Sequence, residues 1–202
     1  MKYPIVEIFN SIQGEGCFIG QKATFVRLAG CNLSCSWCDT DHTESKRLDL
    51  AAILAQCKER IVVLTGGEPT IHDLMPLVKA LKSAGHSTHL ETNGTGSTLV
   101  YPLDWITVSP KPGTQYRLHS MLRPNEIKYV VDEQFKPCDL SFGLMAQSTM
   151  RSFGRECPIW LQPQSQRMLD SAKQALQMMF LPIFERDDIR LGIQLHKIVE
   201  VQ

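Results

Sequence analysis

The segment ATFVRLAGCNLSCSWCDT, residues 23–40, joins an apolar run to three closely spaced cysteines. The run Ala23–Ala29 predicts a strand. Cys31, Cys35 and Cys38 follow it with the spacing CxxxCxxC. Thiolates are soft ligands that suit iron–sulfur clusters or zinc. The segment therefore predicts a metal site at the end of a strand.

The number of cysteines in this motif leaves two interpretations open. Most electron-transfer clusters and structural zinc sites use four protein ligands, whereas this motif supplies three. A [4Fe-4S] cluster bound in this way would leave one iron open to another ligand. Alternatively, Asp39, His42 or a distant cysteine completes a zinc site in a non-enzymatic metal-binding or regulatory module. The remaining cysteines show no ligand spacing and are predicted to be small buried hydrophobes: Cys17, Cys57, Cys138 and Cys157.

The composition is that of an ordinary globular domain. The chain has 202 residues, of which 43% are hydrophobic, and its 21 basic and 21 acidic residues give no net charge. This balance argues against nucleic acid or a membrane as the main partner. No apolar run approaches the length of a membrane span, and Glu7 interrupts the only apolar stretch near the start. We therefore expect a cytoplasmic protein.

Apolar runs that alternate with segments of helical period predict parallel βαβ units. About six such units are too few for a closed eight-unit barrel. We expect an α/β fold in which they form an open, partial parallel β/α barrel, as a single domain over residues 1–202. The predicted strands are Ala23–Ala29, Ile61–Leu64, Ser87–Glu91, Trp105–Val108, Glu126–Val131, Cys157–Leu161 and Ile189–Leu195. The predicted helices are Leu48–Glu59, Asp73–Ala84 and Met168–Phe180.

Polar and glycine-rich loops follow several of these strands. They read TGGEPT, ETNGTG, SPKPG and LQPQS, in addition to the cysteine loop. In parallel α/β folds, ligands bind at the carboxyl ends of the strands. We therefore expect the five loops to converge on one active site.

Two of these loops together resemble the radical S-adenosylmethionine (SAM) superfamily. The CxxxCxxC motif follows the first predicted strand, and Gly66-Gly67-Glu68-Pro69 follows a buried strand, as in that superfamily's SAM-binding loop. The resemblance implies a [4Fe-4S] cluster whose open iron binds SAM, and cleavage of SAM to a 5′-deoxyadenosyl radical. Glycines allow the backbone to approach SAM closely, and the Glu68 carboxylate suits its ammonium group.

Further motifs along nearly the whole chain resemble the 7-carboxy-7-deazaguanine synthase family, also called QueE. The resemblance implies ring contraction of 6-carboxy-5,6,7,8-tetrahydropterin to 7-carboxy-7-deazaguanine with loss of ammonia, in the biosynthesis of queuosine, a tRNA modification, and of other 7-deazapurines. It also implies Mg²⁺, a flavodoxin-type or other electron donor and a homodimer. The motifs are Ser11–Gly16, Arg27, Cys38–Thr40, Glu91–Gly94, Ser109–Lys111, Leu161–Pro163 and Gln194–Lys197.

The same resemblance implies the site residues. Cys31, Cys35 and Cys38 would hold the cluster, and Thr40 would bind Mg²⁺. No catalytic residue is assigned beyond the cluster and SAM. SAM would contact Trp37, Cys38, Asp39, Gly66, Gly67, Glu68, Gly94, Ser109, Pro110, Lys111 and Gln162. The substrate would contact Ile12, Gln13, Gly14, Glu15, Arg27, Glu91, Thr92, His196 and Gln202, the last through a terminal carboxylate that folds back if Val199 and Val201 dock in the core.

Several of these residues have plain structural alternatives. Thr40 could be a turn residue, since Asp-Thr pairs often begin turns. Arg27 lies in an apolar strand and could bind the substrate carboxylate through its planar fork, or pair with a protein carboxylate. A lone histidine such as His196 is more often structural than catalytic. At the level of function, a glycyl-radical-enzyme activating enzyme is the alternative, because that family also carries CxxxCxxC.

Overall fold

The computed structural model describes residues 1–36, 38, 40–96, 101–114, 117–119, 123–185 and 187–201. The strands are β1 (Lys2–Ile12), β2 (Lys22–Leu28), β3 (Lys46–Asp49), β4 (Ile61–Gly66), β5 (Ser87–Thr92), β6 (Trp105–Val108), β7 (Glu126–Val131), β8 (Ile159–Pro163) and β9 (Ile189–Leu191). The α-helices are α1 (Leu50–Leu54), α2 (Met75–Ser83), α3 (Ser141–Ser152), α4 (Met168–Met179) and α5 (Leu195–Ile198).

These strands form one sheet in the order β3-β1-β2-β4-β5-β6-β7-β8-β9. From β2 to β9 every neighbouring pair is parallel. β1 pairs antiparallel with both β2 and β3. The prediction of an open, mainly parallel α/β sheet is therefore confirmed, since the seven predicted strands correspond to its seven parallel strands. The antiparallel edge was not predicted from the sequence.

The sheet curves so that its two ends approach each other. Immediately after β9, the Leu195 amide donates a hydrogen bond to the Gly14 carbonyl, which follows β1 (2.9 Å). This contact joins the two sides of the sheet without strand pairing. The interior between them is where the loops of the parallel strands meet.

The core lies on the side of the parallel strands that faces the helices. Val62 and Leu64 of β4 pack against Leu77 and Leu81 of α2, all fully buried. A second cluster joins β7 and β8 to α3 and α4. Burying a side chain of this size contributes about 1.5–3 kcal/mol, so these contacts fix how the helices lie against the sheet.

Two elements of the structure have ends that differ from the predicted ones. The helix predicted over Leu48–Glu59 is shorter, because residues 46–49 pair with the edge of β1 as β3. Asp49 then caps α1, its carboxylate accepting from the Ala52 amide (2.9 Å). The strand predicted over Ile189–Leu195 ends at Leu191, and Leu195 begins α5. At the first of these places, strand pairing and helix capping override apolar periodicity.

The cysteines outside the motif are of two kinds. Cys57 and Cys157 are buried, as predicted. Cys17 and Cys138 are exposed, so their predicted burial is wrong. Each lies within a short 3₁₀ turn, Gly16–Phe18 or Pro137–Leu140, and turns of this kind run over the surface. None of the helices in the described ranges has the length and apolar character that a membrane span requires.

Candidate active site

A cavity of about 570 Å³ opens at the carboxyl ends of the parallel strands. The loops after β2, β4, β5 and β6 contribute to its wall, as do Gln162 near the end of β8 and the segment that leads into α5. The predicted convergence of the five segments is therefore observed. The predicted site residues on this wall are Ile12, Gln13, Gly14, Glu15, Arg27, Cys31, Cys35, Cys38, Thr40, Gly66, Gly67, Glu91, Thr92, Ser109, Lys111, Gln162 and His196.

The three cysteines of the motif are free thiols on one side of this cavity. The Cys38 amide donates to the Cys35 carbonyl (3.2 Å), which folds the motif into a turn. Burial raises the pKa of the Cys35 thiol, while the nearby Lys111 ammonium opposes that rise. Within the described ranges no three His, Cys, Asp or Glu side chains are arranged to hold a metal ion, so the thiols share a wall without converging.

Three predicted residues fall outside the described ranges: Trp37 and Asp39, which flank Cys38, and Gln202. Their predicted contacts with SAM and with the substrate stay predictions.

The glycine loop after β4 packs directly on the cysteine loop. The Gly67 amide donates to the Leu28 carbonyl (3.3 Å), and the Glu68 amide donates to the Gly30 carbonyl (2.9 Å). A Cβ atom added to Gly67 would lie 2.8 Å from the Cβ of Cys31, which real side chains essentially never do. Glycine at this position therefore lets the two loops of the cavity touch.

Glu68 has a different environment from the one predicted. Its side chain is fully buried and is not on the cavity wall. One carboxylate oxygen accepts from the Thr92 hydroxyl (2.6 Å), and the other accepts from the Asn93 amide (2.6 Å). The Thr70 amide and hydroxyl also donate to it. Glu68 thus ties the loop after β4 to the loop after β5, and its contact with SAM stays a prediction.

The SPK and LQPQ segments also present polar groups to the cavity. The Lys111 ammonium donates to the Ser109 hydroxyl (2.6 Å). Burial, reinforced by the Lys128 charge, lowers the pKa of Lys111 to about 8.

The buried Oε1 atom of Gln162 has no hydrogen-bond partner within the described ranges. Because a buried acceptor without a partner is costly, this atom marks a position for a ligand donor. Gly94 and Pro110 do not line the wall.

Two carboxylates and a lysine form an ionic group in the floor of the cavity. We call Glu15, Glu91 and Lys128 the Lys128 cluster. The Lys128 ammonium forms a short ion pair with Glu15 and lies 3.9 Å from Glu91. Burial alone would raise the pKa of Glu15, but the charge and hydrogen bonds of Lys128 outweigh it and lower that pKa. In turn the two carboxylates hold the pKa of Lys128 above its usual range, against the effect of burial.

Neighbouring polar side chains fix the orientation of both carboxylates. Gln13 donates to Glu91 through Nε2 (3.1 Å), and the Thr65 hydroxyl donates to its other oxygen (3.2 Å). Gln194 donates to Glu15 (2.7 Å). Sequence reasoning missed Lys128 as a site residue, although a lysine between Ile127 and Tyr129 in a strand is an available signal.

Arg27 shows one of the two roles that its sequence left open, pairing with a protein carboxylate. Its Nε atom donates to the Glu7 carboxylate (2.8 Å), and its guanidinium lies 5.7 Å from the centre of the Phe9 ring. It is therefore paired with a protein carboxylate and also lines the cavity. Its contact with the substrate stays a prediction.

His196 lies against the loop that follows β1. A Cβ atom on Gly14 would meet the His196 ring, with Cγ 2.7 Å away, so glycine is required for this packing. Burial lowers the pKa of His196, and the Glu15 charge opposes this. Val199 and Val201 are exposed, so the core docking proposed for the tail is not observed, although the Val201 amide donates to the His196 carbonyl (3.0 Å).

Comparisons with known proteins cover the whole chain. The family model of the Radical SAM superfamily matches residues 26–133. A 7-carboxy-7-deazaguanine synthase from a Synechocystis species is 36% identical over 218 positions, which cover 100% of this chain and 95% of that protein. One from Escherichia coli is 41% identical over 162 positions, covering 65% of this chain and 73% of that protein. The crystal structure of QueE from Escherichia coli superposes with a TM-score of 0.78 at 33% identity, covering 97% of this chain and 95% of that one.

Proposed function

Because this chain belongs to the 7-carboxy-7-deazaguanine synthase family of the radical SAM superfamily, we propose that it converts 6-carboxy-5,6,7,8-tetrahydropterin into 7-carboxy-7-deazaguanine with loss of ammonia. The observation that carries this proposal is one cavity lined both by three free cysteines and by the Lys128 cluster. The first group suits an iron–sulfur cluster, and the second suits the N–H groups of a pterin.

The family implies a [4Fe-4S] cluster and SAM as cofactors, and the donor set fits them. Three thiols are soft ligands for iron, and the Gln162 Oε1 atom lacks a donor within the described ranges. When bound, these groups supply the one-electron chemistry that removes a hydrogen atom from the substrate. We assign SAM to the side of the cavity formed by Gly66, Gly67 and Lys111, whose ammonium suits the carboxylate of SAM.

We assign the pterin to the opposite side, which the Lys128 cluster and Arg27 line. The carboxylates of Glu15 and Glu91 would accept hydrogen bonds from the amino group and ring N–H of the pterin. The Arg27 guanidinium would bind its carboxylate. Because neighbours hold both acceptor carboxylates, the substrate would meet oxygens that are already oriented.

Several further parts of the proposal follow from the family resemblance. Thr40 lines the cavity, and its hydroxyl would contribute one oxygen to Mg²⁺, with water and substrate oxygens as the other ligands. We also propose a homodimer, reduction by a flavodoxin-type or other electron donor, and a place in queuosine biosynthesis, which supplies a tRNA modification. The proposed setting is the cytoplasm, with no nucleic-acid or membrane partner.

Anaerobic turnover tests the proposed function. Protein with a reconstituted cluster is incubated with SAM, a reductant, Mg²⁺ and 6-carboxy-5,6,7,8-tetrahydropterin, and the products are read by mass spectrometry. We expect 7-carboxy-7-deazaguanine, with a Cys35→Ala variant as the inactive control. A brown, reducible protein that cleaves SAM but leaves the pterin unchanged would contradict the proposal and favour an activating enzyme for a partner protein.

A further inference from the structure

Lys128 occupies a position that none of the predicted roles explains. It lies on β7, and its side chain is only 11% exposed. It forms an ion pair with Glu15, whose side chain is 12% exposed, and it lies 3.9 Å from Glu91. A buried lysine is costly unless carboxylates pair with it, so this arrangement calls for a physical reason.

The first part of that reason is electrostatic. The carboxylates of Glu15 and Glu91 approach each other closely enough to share Lys128. The Gln13 side chain joins the same group, since it donates to the Glu91 carboxylate and accepts from the Glu15 backbone amide. Two buried carboxylates in one site disfavour each other's charge, and one of them takes up a proton unless a cation lies between them. A protonated carboxyl group donates a hydrogen bond where an ionised one only accepts. The Lys128 charge lowers the pKa of Glu15 against the effect of burial and therefore favours its acceptor form.

The second part is mechanical. Glu15 belongs to the loop after β1, whereas Lys128 lies on β7, far along the sheet. Two residues before Lys128, the Glu126 carboxylate accepts from the Cys17 amide (2.8 Å). The loop that carries Glu15 is thus fastened to β7 at two successive inward-facing positions. A strand with parallel neighbours on both sides is a rigid support for such a loop.

We propose that Lys128 is a positioning residue for the substrate: its ammonium group holds the Glu15 and Glu91 carboxylates in place as acceptors for N–H groups of the pterin. This inference rests on the proposed function, because it concerns the substrate side of the same cavity. Lys128 acts on the substrate through the two carboxylates.

Substitution of Lys128 separates this role from a structural one. In Lys128→Met and in the more polar Lys128→Gln, we expect KM for the pterin to rise roughly 10- to 100-fold, as for a lost charge-assisted pairing. Cluster absorbance and uncoupled SAM cleavage should stay within about twofold of wild type. SAM affinity should change much less than KM for the pterin and should not weaken, because losing the Lys128 charge removes one cause of the lowered pKa of Lys111. Lys128→Arg keeps the charge and should recover much of the pterin affinity. If Lys128→Met fails to fold, Lys128→Gln is compared with Lys128→Arg instead.

A double-mutant cycle with Glu15→Gln tests whether Lys128 acts through its partner. If it does, the KM of the Glu15→Gln/Lys128→Gln protein should match that of the worse single variant, instead of the product of the two effects. Multiplicative effects, or an arginine variant as impaired as the glutamine variant, would overturn the inference. So would loss of the cluster in the glutamine and arginine variants alike. Absence of product from the wild-type protein would instead refute the proposed function.

Discussion

Arg27 is a single side chain that serves both the scaffold and the cavity. Its pairing with Glu7 offsets the cost of a charge inside an apolar strand, and the same pairing holds the guanidinium at the cavity wall. A donor that is already oriented loses less entropy when it binds a carboxylate.

Replacement of Arg27 by alanine should therefore weaken pterin binding while leaving the cluster and SAM cleavage in place. We expect KM for the pterin to rise roughly 10- to 100-fold, the effect of losing a hydrogen bond to a charged group. Steady-state kinetics with a parallel assay of 5′-deoxyadenosine measures both quantities. Arg151→Ala, on the exposed side of α3, is the matched control and should leave both unchanged. Loss of the cluster in Arg27→Ala would show that the assigned role is wrong.

At Gly67, one added methyl group should displace the cysteine loop that is proposed to hold the cluster. In Gly67→Ala the new Cβ would lie 2.8 Å from the Cβ of Cys31 and closer still to the Gly30 carbonyl. The backbone must shift, at a cost of about 1–3 kcal/mol, and the cysteine loop shifts with it.

We expect less than half of the wild-type iron content in Gly67→Ala after identical anaerobic reconstitution. The control is Gly85→Ala, which meets no atom within 4 Å but has φ +89°, so it carries backbone strain far from the cavity. It should lower stability by about 1–2 kcal/mol and leave the iron content unchanged. Equal iron content in the two variants would contradict the role given to this contact.

Some residues of the site could be predicted from the sequence, and others could not. Motif residues such as Cys31, Gly67 and Gln162 lie on the cavity wall where their loops were expected to meet. Lys128 was not predicted as a site residue, because its role depends on two carboxylates that are distant in the chain. The hydrogen bonds of the Glu68 carboxylate with Thr92 and Asn93 were not predicted for the same reason, since these residues come together only in the folded sheet.

At the scale of elements, β7 organises the interior of the curved sheet. Its first residue, Glu126, is buried and accepts hydrogen bonds from the Trp105 and Trp160 indoles, the Thr107 hydroxyl and the Cys17 amide. These donors come from the two neighbouring strands and from the turn Gly16–Phe18. The carboxylate therefore fastens this turn to the strands below the cavity floor.

Glu126→Gln should lower stability, because its amide NH₂ would face donors that need an acceptor. The cost of leaving buried donors unpaired is about 1–3 kcal/mol, which corresponds to a drop in melting temperature of roughly 2–10 °C for a chain of this size. Thermal unfolding followed by circular dichroism measures it. Glu133→Gln removes an exposed ion pair with Arg167 and should change stability by less than about 1 kcal/mol. Equal melting temperatures for the two variants would contradict the importance of Glu126.

Predictability from the sequence differed among the elements. β6 and β7 have the predicted bounds, since short apolar runs between polar loops are strong strand signals. β1 and β3 were not predicted, because they are stabilised mainly by pairing with each other and with β2 at the edge. α3 was also missed, since polar residues interrupt the apolar period between Ser141 and Ser152.

At the scale of the whole molecule, the open sheet brings chain-distant loops to one cavity. The strand order predicts this convergence, because parallel strands end at the same edge. The contact between Leu195 and Gly14 could not be predicted, since it depends on how strongly the sheet curves. That contact brings His196 beside the loop of Glu15 and completes the wall of the cavity.

The central claim at this scale is that three cysteines hold a cluster with one iron left for SAM. Electron–nuclear double resonance on the singly reduced protein, with SAM carrying ¹⁵N in its amino group, tests it most directly. We predict a ¹⁵N hyperfine coupling to the cluster, which a ¹⁴N pattern replaces when unlabelled SAM is substituted. A cluster whose signal is unchanged by SAM, or one that carries a fourth side-chain ligand, would contradict it.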